Sequence, residues 1–319
     1  MQAIIINRYG GPEVLELATV DRPHIKENEL LVKVQATSIN PVECAMRRGQ
    51  LKYLFRLKFP AILGVDVSGE VVEVGATVNN FKVGDAAYAF LRPNVSGAYA
   101  EYAAVPAAWT GIKPANLSHT EAAAVPGVGL TALQVLRNTA QLQSGQKVLI
   151  NGGSGGVGTF AIQIARALNA VVTAVCSTPK VELVKSLGAQ RVIDYTQEDF
   201  TQDKDRYDVI LDCVGNKTFL ACRRLLKQYG LYVTVVPRFR QFLHNLLAVL
   251  FPGKRSKVFV VEPGKDIDVL TRLIEDGKVK PIIDRIYTLS QIAEAHRYCE
   301  QGHTAGKIVV TVRDTGSGL

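Results

Sequence analysis

The sequence predicts an α/β chain in two domains, a doubly wound domain with six parallel strands set into a mostly β domain. Three observations predict it. The chain has 319 residues, 47% hydrophobic and 21% charged, which excludes general disorder and, at about 150 residues per domain, suggests two cores. Up to about residue 120 the apolar runs are short and broken by Gly, Pro and Asn, whereas from about residue 126 β-branched runs alternate with amphipathic stretches. That alternation is the rhythm of β-α-β units around a parallel sheet. After residue 276 the rhythm stops.

Taken in order, strands are expected at 3–7, 29–39, 67–74, 86–89 and 99–105, each bounded by turn-forming residues. Six buried strands follow at 147–150, 171–175, 191–193, 208–211, 231–236 and 258–261, the number of a complete doubly wound sheet. The tail reads as a strand at 281–288, a helix capped by Ser290 and running to Glu300, and a last strand at 307–312. Because it does not extend the β-α-β pattern, it is expected to return to the first domain. The boundaries are then 1–122 with 276–319 for the mostly β domain, and 123–275 for the inserted one.

Five cysteines are scattered without a C-x-x-C pair, and an odd number cannot complete a disulfide framework. A reducing compartment is expected, with a cytoplasmic location. The start, MQAIIINRYGG, meets Gly and Pro before a signal core could form. No window has the roughly 18 uncharged apolar residues of a spanning helix. The net charge of +8 is uneven, since 213–261 holds nine cations and no acid. A second acid-free run, 44–65, holds Arg47, Arg48, Lys52, Arg56 and Lys58. Both runs are read either as solvated faces or as surfaces for an anionic partner. Neither has zinc-finger spacing or an RNP-type aromatic pattern, so nucleic acid is not the expected partner.

Directly after the strand at 147–150 comes Asn151-Gly152-Gly153-Ser154-Gly155-Gly156-Val157-Gly158, then the helical pattern Phe160, Ile164, Ala165, Leu168. The segment Gly153-x-Gly155-x-x-Gly158 fits G-x-G-x-x-G with both its strand and its helix in place. Glycines there let backbone N–H groups approach a pyrophosphate at the positive end of the helix, and Gly158 lets helix and strand pack closely. A dinucleotide is therefore the expected ligand of the inserted domain. An NAD site offers Asp or Glu after the second strand, but here the chain reads Cys176-Ser177-Thr178-Pro179-Lys180. Ser177 and Lys180 supply a hydroxyl and a cation to a 2′-phosphate, which favours NADPH.

In these motifs the chain resembles the medium-chain dehydrogenase/reductase superfamily, in its zinc-free quinone oxidoreductase-like branch. Further landmarks carry the resemblance: Gly10-Gly11-Pro12-Glu13-Val14-Leu15, Ile39-Asn40-Pro41, Leu63-Gly64-Val65-Asp66-Val67-Ser68-Gly69, Val83-Gly84-Asp85 and Leu130-Thr131-Ala132. The resemblance implies a Rossmann domain plus a GroES-like catalytic domain that takes the substrate. Zinc members of the superfamily place a Cys where this chain has Asn40 and Gly-His-Glu where it has Gly64-Val65-Asp66. No Cys lies between Cys44 and Cys176, so a four-cysteine lobe is absent and no metal is expected.

The implied activity is reduction of quinones or of the C=C bond in α,β-unsaturated carbonyls by hydride from NADPH. By the same resemblance Asn40 sits beside the nicotinamide ribose and Thr131 bonds the carboxamide. Tyr195 lies near the adenosine 2′-phosphate, Gly215 and Asn216 near the adenosine, and Val235 and Val236 under the nicotinamide. Tyr53 falls where an aromatic residue lines the substrate cleft, and its phenol could donate to a carbonyl oxygen. A homodimer through the edge strand of the nucleotide domain is also implied.

Phe239, Phe242, Leu243, Leu246, Leu247 and Leu250 lie on one side of a helical wheel, with Arg238, Arg240, Gln241, His244 and Asn245 on the other. One reading makes this basic helix a lid or subunit contact. An alternative is a peripheral membrane-associated protein that uses it to reach lipid-derived acceptors or other anionic partners.

Overall fold

The structure, a computed structural model, describes residues 1–236, 251 and 253–312. The chain opens with β1 (Gln2–Ile6), β2 (Glu16–Thr19), β3 (Glu29–Ile39), α1 (Pro41–Arg47), β4 (Ala61–Ile62), β5 (Asp66–Val74), β6 (Ala86–Phe90), β7 (Tyr102–Pro106) and β8 (Thr110–Ile112). Next come α2 (His119–Ala123), α3 (Pro126–Leu133), β9 (Lys147–Asn151), α4 (Gly156–Ala167), β10 (Val171–Cys176), α5 (Val181–Ser186) and β11 (Arg191–Asp194). They are followed by β12 (Tyr207–Asp212), α6 (Phe219–Cys222), β13 (Leu226–Thr234), β14 (Arg255–Val258), α7 (Ile267–Glu275), β15 (Ile283–Thr288), α8 (Ile292–Glu300) and β16 (Lys307–Thr311).

Contacts divide the chain into two compact units. The first contains Met1–Leu130, Pro263–Asp276 and Pro281–Leu319, and the second Thr131–Glu262 and Gly277–Lys280. In the first unit the main sheet runs β15-β16-β3-β5-β6-β8 with β7 also on β3, beside a small β2-β1-β4 sheet. The tail does return to it: β16 pairs antiparallel with β3, placing Ile308 opposite Ile39. Its core gathers Ile4, Ile39, Met46, Leu63, Tyr99, Ile292 and Val310.

The second unit is a six-stranded sheet in the order β11-β10-β9-β12-β13-β14, parallel throughout. The run Val148, Leu149, Ile150 is wholly buried, as a strand covered on both faces must be. The order reverses between β9 and β12, and in such sheets the crevice outside the carboxyl ends at that point is where ligands bind.

Several boundaries differ from the sequence expectation. The last strand of the parallel sheet is Arg255–Val258 rather than 258–261, because Leu231 to Thr234 pair with Arg255 to Val258. An edge strand tolerates such polar residues, since one of its flanks faces no other strand. The helix at the tail is started by Thr288 rather than Ser290: the Gln291 side chain accepts from the Thr288 backbone N–H at 2.9 Å, closing a capping box around a short 3₁₀ turn, Leu289–Gln291. Finally, 123–130 and 263–275 belong to the first unit and 277–280 to the second. For α7 the cause is visible: Tyr88 Oη on β6 bonds Thr271 Oγ1 at 2.8 Å, and Ile267, Leu270 and Ile274 are buried. The basic helix expected at 238–251 lies, apart from Phe251, outside the described residues.

Candidate active site

Two clusters of polar groups stand out, one in each unit. In the second, β9 ends at Asn151 and the chain turns through Gly152 at φ +86° into α4. Gly155 is the N-cap of α4 with no side-chain cap bond, and no acid lies in the first turn. The first N–H groups of a helix have no intrahelical acceptor, so the half-buried Gly156 and Val157 and the buried Gly158 offer backbone donors suited to an anion. A Cβ on Gly158 would lie 2.1 Å from the Gly152 carbonyl oxygen. The close approach that requires glycine is thus to the loop's own backbone rather than to the strand. On Gly153 a Cβ would meet Ala174 of β10 at 2.9 Å. On Gly155 it would meet only the Gly152 oxygen, at 3.6 Å, leaving the cap open. Ser154 is half-buried.

Residues at the carboxyl ends of the neighbouring strands complete this cluster. Ser177 and Lys180 follow β10 in a 3₁₀ turn, both half-buried. Tyr195 follows β11 and is 55% exposed. A residue that sequence reasoning missed, Asp194, lies opposite Cys176 in the β10–β11 register. Its carboxylate accepts from Thr178 Oγ1 at 2.5 Å and from Thr196 N at 2.9 Å, and the Thr178 bond above all holds it below the usual carboxylate range.

Beyond β12, Asp212 organises the turn. One carboxylate oxygen accepts from Asn151 Nδ2 and Gly215 N, both at 2.9 Å, and the other from the Tyr232 hydroxyl at 2.7 Å. Asn151 Nδ2 also donates to Asn216 Oδ1, tying β9, β12 and β13 together. A Cβ on Gly215 would sit 3.0 Å from Val236. Val235 and Val236 are half-buried, so they are more open than the fully buried Val233 beside them. Thr131, in the body of α3, is buried.

In the first unit Asn40 is the N-cap of α1 with Pro41 at N1. Glu43 returns to accept from Asn40 N at 2.9 Å, the reciprocal half of a capping box. The amide nitrogen of Asn40 donates to Asp66 at 2.9 Å, and its oxygen accepts from Lys307 Nζ at 2.5 Å. Lys307 also donates to Ile39 O at 2.9 Å and stands 3.5 Å from Asp66. Asp66 further accepts from Ser38 Oγ at 2.5 Å and Gly127 N at 2.7 Å. All these side chains are buried. Burial and the neighbouring Asp66 push the Glu43 carboxyl up to about 7 against the pull of Lys307. Sequence reasoning missed Glu43 and Lys307; Asn-Pro-x-Glu was a readable helix start, but nothing local marks Lys307.

Tyr53 lies in a turn after α1 and is 91% exposed, with Lys52 Nζ 5.2 Å from its ring. The basic run around it is not one solvated face, which corrects the reading of 44–65. Arg47 is fully buried and bonds Glu300, which also pairs with Arg48 at 2.9 Å.

A family profile described as "Alcohol dehydrogenase GroES-like domain" matches residues 26–115, and one described as "Zinc-binding dehydrogenase" matches 187–310. The chain is 36% identical, over 97% of its length and 98% of the relative's, to "Chloroplast envelope quinone oxidoreductase homolog" of Arabidopsis thaliana. The chain belongs to the medium-chain dehydrogenase/reductase superfamily. It falls in the quinone oxidoreductase-like branch. It is also 37% identical, over 97% of its length and 79% of the relative's, to "NADPH-dependent alkenal/one oxidoreductase, chloroplastic" of Arabidopsis thaliana. The solved quinone oxidoreductase from Coxiella burnetii superposes with a TM-score of 0.90 at 34% identity, covering 98% of this chain and 99% of that one. At Asn40 and Asp66 stand an amide and the ammonium of Lys307, and among the described residues no three His, Cys, Asp or Glu side chains are grouped to hold a metal. No described helix is long and apolar enough to cross a membrane.

Proposed function

We propose that the chain is an NADPH-dependent, zinc-independent oxidoreductase whose acceptors are quinones or α,β-unsaturated carbonyls. The observation that carries this reading is the amino end of α4, where an open, uncapped glycine turn presents backbone donors with no acid in the first helical turn. The names of the relatives support the nucleotide and the acceptor classes. When bound, NADPH supplies the hydride that reduces the acceptor.

The chain's own residues bind, orient and exclude water. The amides of Gly156, Val157 and Gly158 take the pyrophosphate, with Gly153, Ser154 and Gly155 shaping the turn. Ser177, Lys180 and Tyr195 take the 2′-phosphate, since the carboxylate of Asp194 is turned toward two threonines. The Asp212 network sets Gly215 and Asn216 for the adenosine. Thr131 receives the carboxamide, and Val235 and Val236 offer the half-buried apolar surface for the nicotinamide. Asn40, its amide fixed by Lys307 and Asp66, keeps one oxygen lone pair for a ribose hydroxyl. Tyr53 donates to the acceptor oxygen as charge develops on it. Pairing of two copies along the β14 edge is the expected dimer.

The test is NADPH oxidation with a panel of quinones, enals, enones and saturated alcohols, with chelator present. Gly155→Asp is expected to abolish turnover while leaving the fold intact, because the cap has room for a side chain but a carboxylate there repels pyrophosphate. Lys180→Glu is expected to shift preference toward NADH by about tenfold or more, the effect of roughly 1.4 kcal/mol. Equal use of both nucleotides, a requirement for zinc, or a saturated alcohol as best substrate would each overturn the proposal.

A further inference from the structure

Helices α1 and α8 pack together in the first unit, and each brings a cysteine to the contact. Cys44 is part of the buried core against which Cys299 packs, and each thiol is the largest influence on the other's titration. Cys44 Sγ also lies 3.4 Å from His296 Nδ1, whose other ring nitrogen is 3.2 Å from Tyr99 Oη. Cys299 follows His296 by three residues on α8, so both face α1. Cys44 is buried, whereas Cys299 is half-buried. None of these groups enters the chemistry proposed above.

We propose that Cys44 and Cys299 form an oxidation site at which a hydroperoxide converts the two thiols into an intramolecular disulfide joining α1 to α8. The two sulfurs have distinct roles. The neighbouring Cys44 thiol lowers Cys299, with the Lys307 charge adding to it against burial. Cys299, together with burial, raises Cys44 in turn. Cys299 is therefore the thiolate that reacts first and Cys44 the protonated partner that resolves it.

In the first step the Cys299 sulfur attacks the terminal peroxide oxygen. An S–O bond forms, the O–O bond breaks, and the departing alkoxide or hydroxide leaves as alcohol or water after taking a proton. In the second, Cys44 attacks the sulfenic sulfur; an S–S bond forms, the S–O bond breaks, and hydroxide leaves with the Cys44 proton as water. The two sulfurs together lose the two electrons that the peroxide gains. The other cysteines provide internal controls. Cys176, Cys213 and Cys222 lie in the second unit, and burial raises all three, Cys176 to about 11 and Cys222 to about 12.

The test uses the full chain, titrated with hydrogen peroxide, digested without reductant and read by mass spectrometry. A linked pair of peptides carrying Cys44 and Cys299, lighter by two hydrogens and separated by dithiothreitol, is the expected product. Alkylation should show two thiols lost from the five free ones. In Cys44→Ser, oxidation should stop at a dimedone-trapped sulfenic acid on Cys299; in Cys299→Ser, Cys44 should stay reduced. The proposal fails if Cys44 and Cys299 remain free while another cysteine oxidises, if either pairs elsewhere, or if Cys299 passes to sulfinic acid beside a reduced Cys44. The wild-type digest alone decides between these outcomes should a serine variant not fold.

Discussion

Replacing Lys307 with methionine tests the buried polar cluster of the first unit most directly. Methionine keeps the unbranched stem, so the change removes one charge and three donors with little change in volume. The side chains of Lys307 and Asp66 are 4% and 0% exposed, so water cannot replace what is lost. Asn40 Oδ1 and Ile39 O lose a donor, and two carboxyl groups, Asp66 and Glu43, are left with no cation between them. Breaking a buried ion pair from one side costs about 3–5 kcal/mol. With a urea dependence near 2 kcal/mol/M, the unfolding midpoint should fall by about 1.5–2.5 M.

The assay is available within the chain, because its one tryptophan, Trp109, belongs to the first unit. Its fluorescence during urea titration reports that unit. The companion Lys307→Met, Asp66→Asn variant removes both charges and should recover part of the loss, so the double cost should be smaller than the sum of the single costs by about 0.5–3 kcal/mol. A midpoint shift equivalent to less than about 1 kcal/mol for the single variant, the value of an exposed pair, would refute the reasoning. Strict additivity in the cycle would do the same.

Four further outcomes are expected. Because Glu43 titrates near 7 in the fold and near 4.5 when exposed, its neutral form is favoured in the native state. Its contribution, roughly 3 kcal/mol by linkage, is complete below about pH 4.5 and lost as pH rises through about 7; the Trp109 midpoint of Glu43→Gln should lack that decline. His296 has the opposite sign: burial pushes its ring down to about 3, so it stays neutral in the fold, and stability is lost as pH falls from about 6.5 toward 3. Asn in its place should flatten that acid limb in the same measurement. Gly158→Ala forces a Cβ onto the Gly152 carbonyl; calorimetric titration should show NADPH affinity reduced about tenfold or more, with about 1–3 kcal/mol lost by the second unit from overpacking. Tyr232→Phe leaves Asp212 one donor short and should cost about 1–3 kcal/mol, raising the KM for NADPH through the Gly215 turn more than it lowers kcat.

By itself the sequence determined the parallel sheet, the glycine turn and the return of the tail, because each is written in neighbouring residues. A run such as Val148, Leu149, Ile150 can be buried on both faces only in a covered strand, and three glycines between strand and helix fit few other turns. Only the tertiary structure decided which distant groups meet. Lys307 reaches Asp66 across 241 residues of chain, and no periodicity announces a contact of that range. Arg47 belongs by composition to an exposed basic run, yet Glu300 draws it inside, as a buried charge requires a partner. The strand at 255–258 was hidden for a related reason: at a sheet edge, backbone pairing rather than side-chain pattern sets the boundary. Local chemistry is legible in one dimension, whereas electrostatic pairing and thiol contacts depend on where the folded backbone brings their partners.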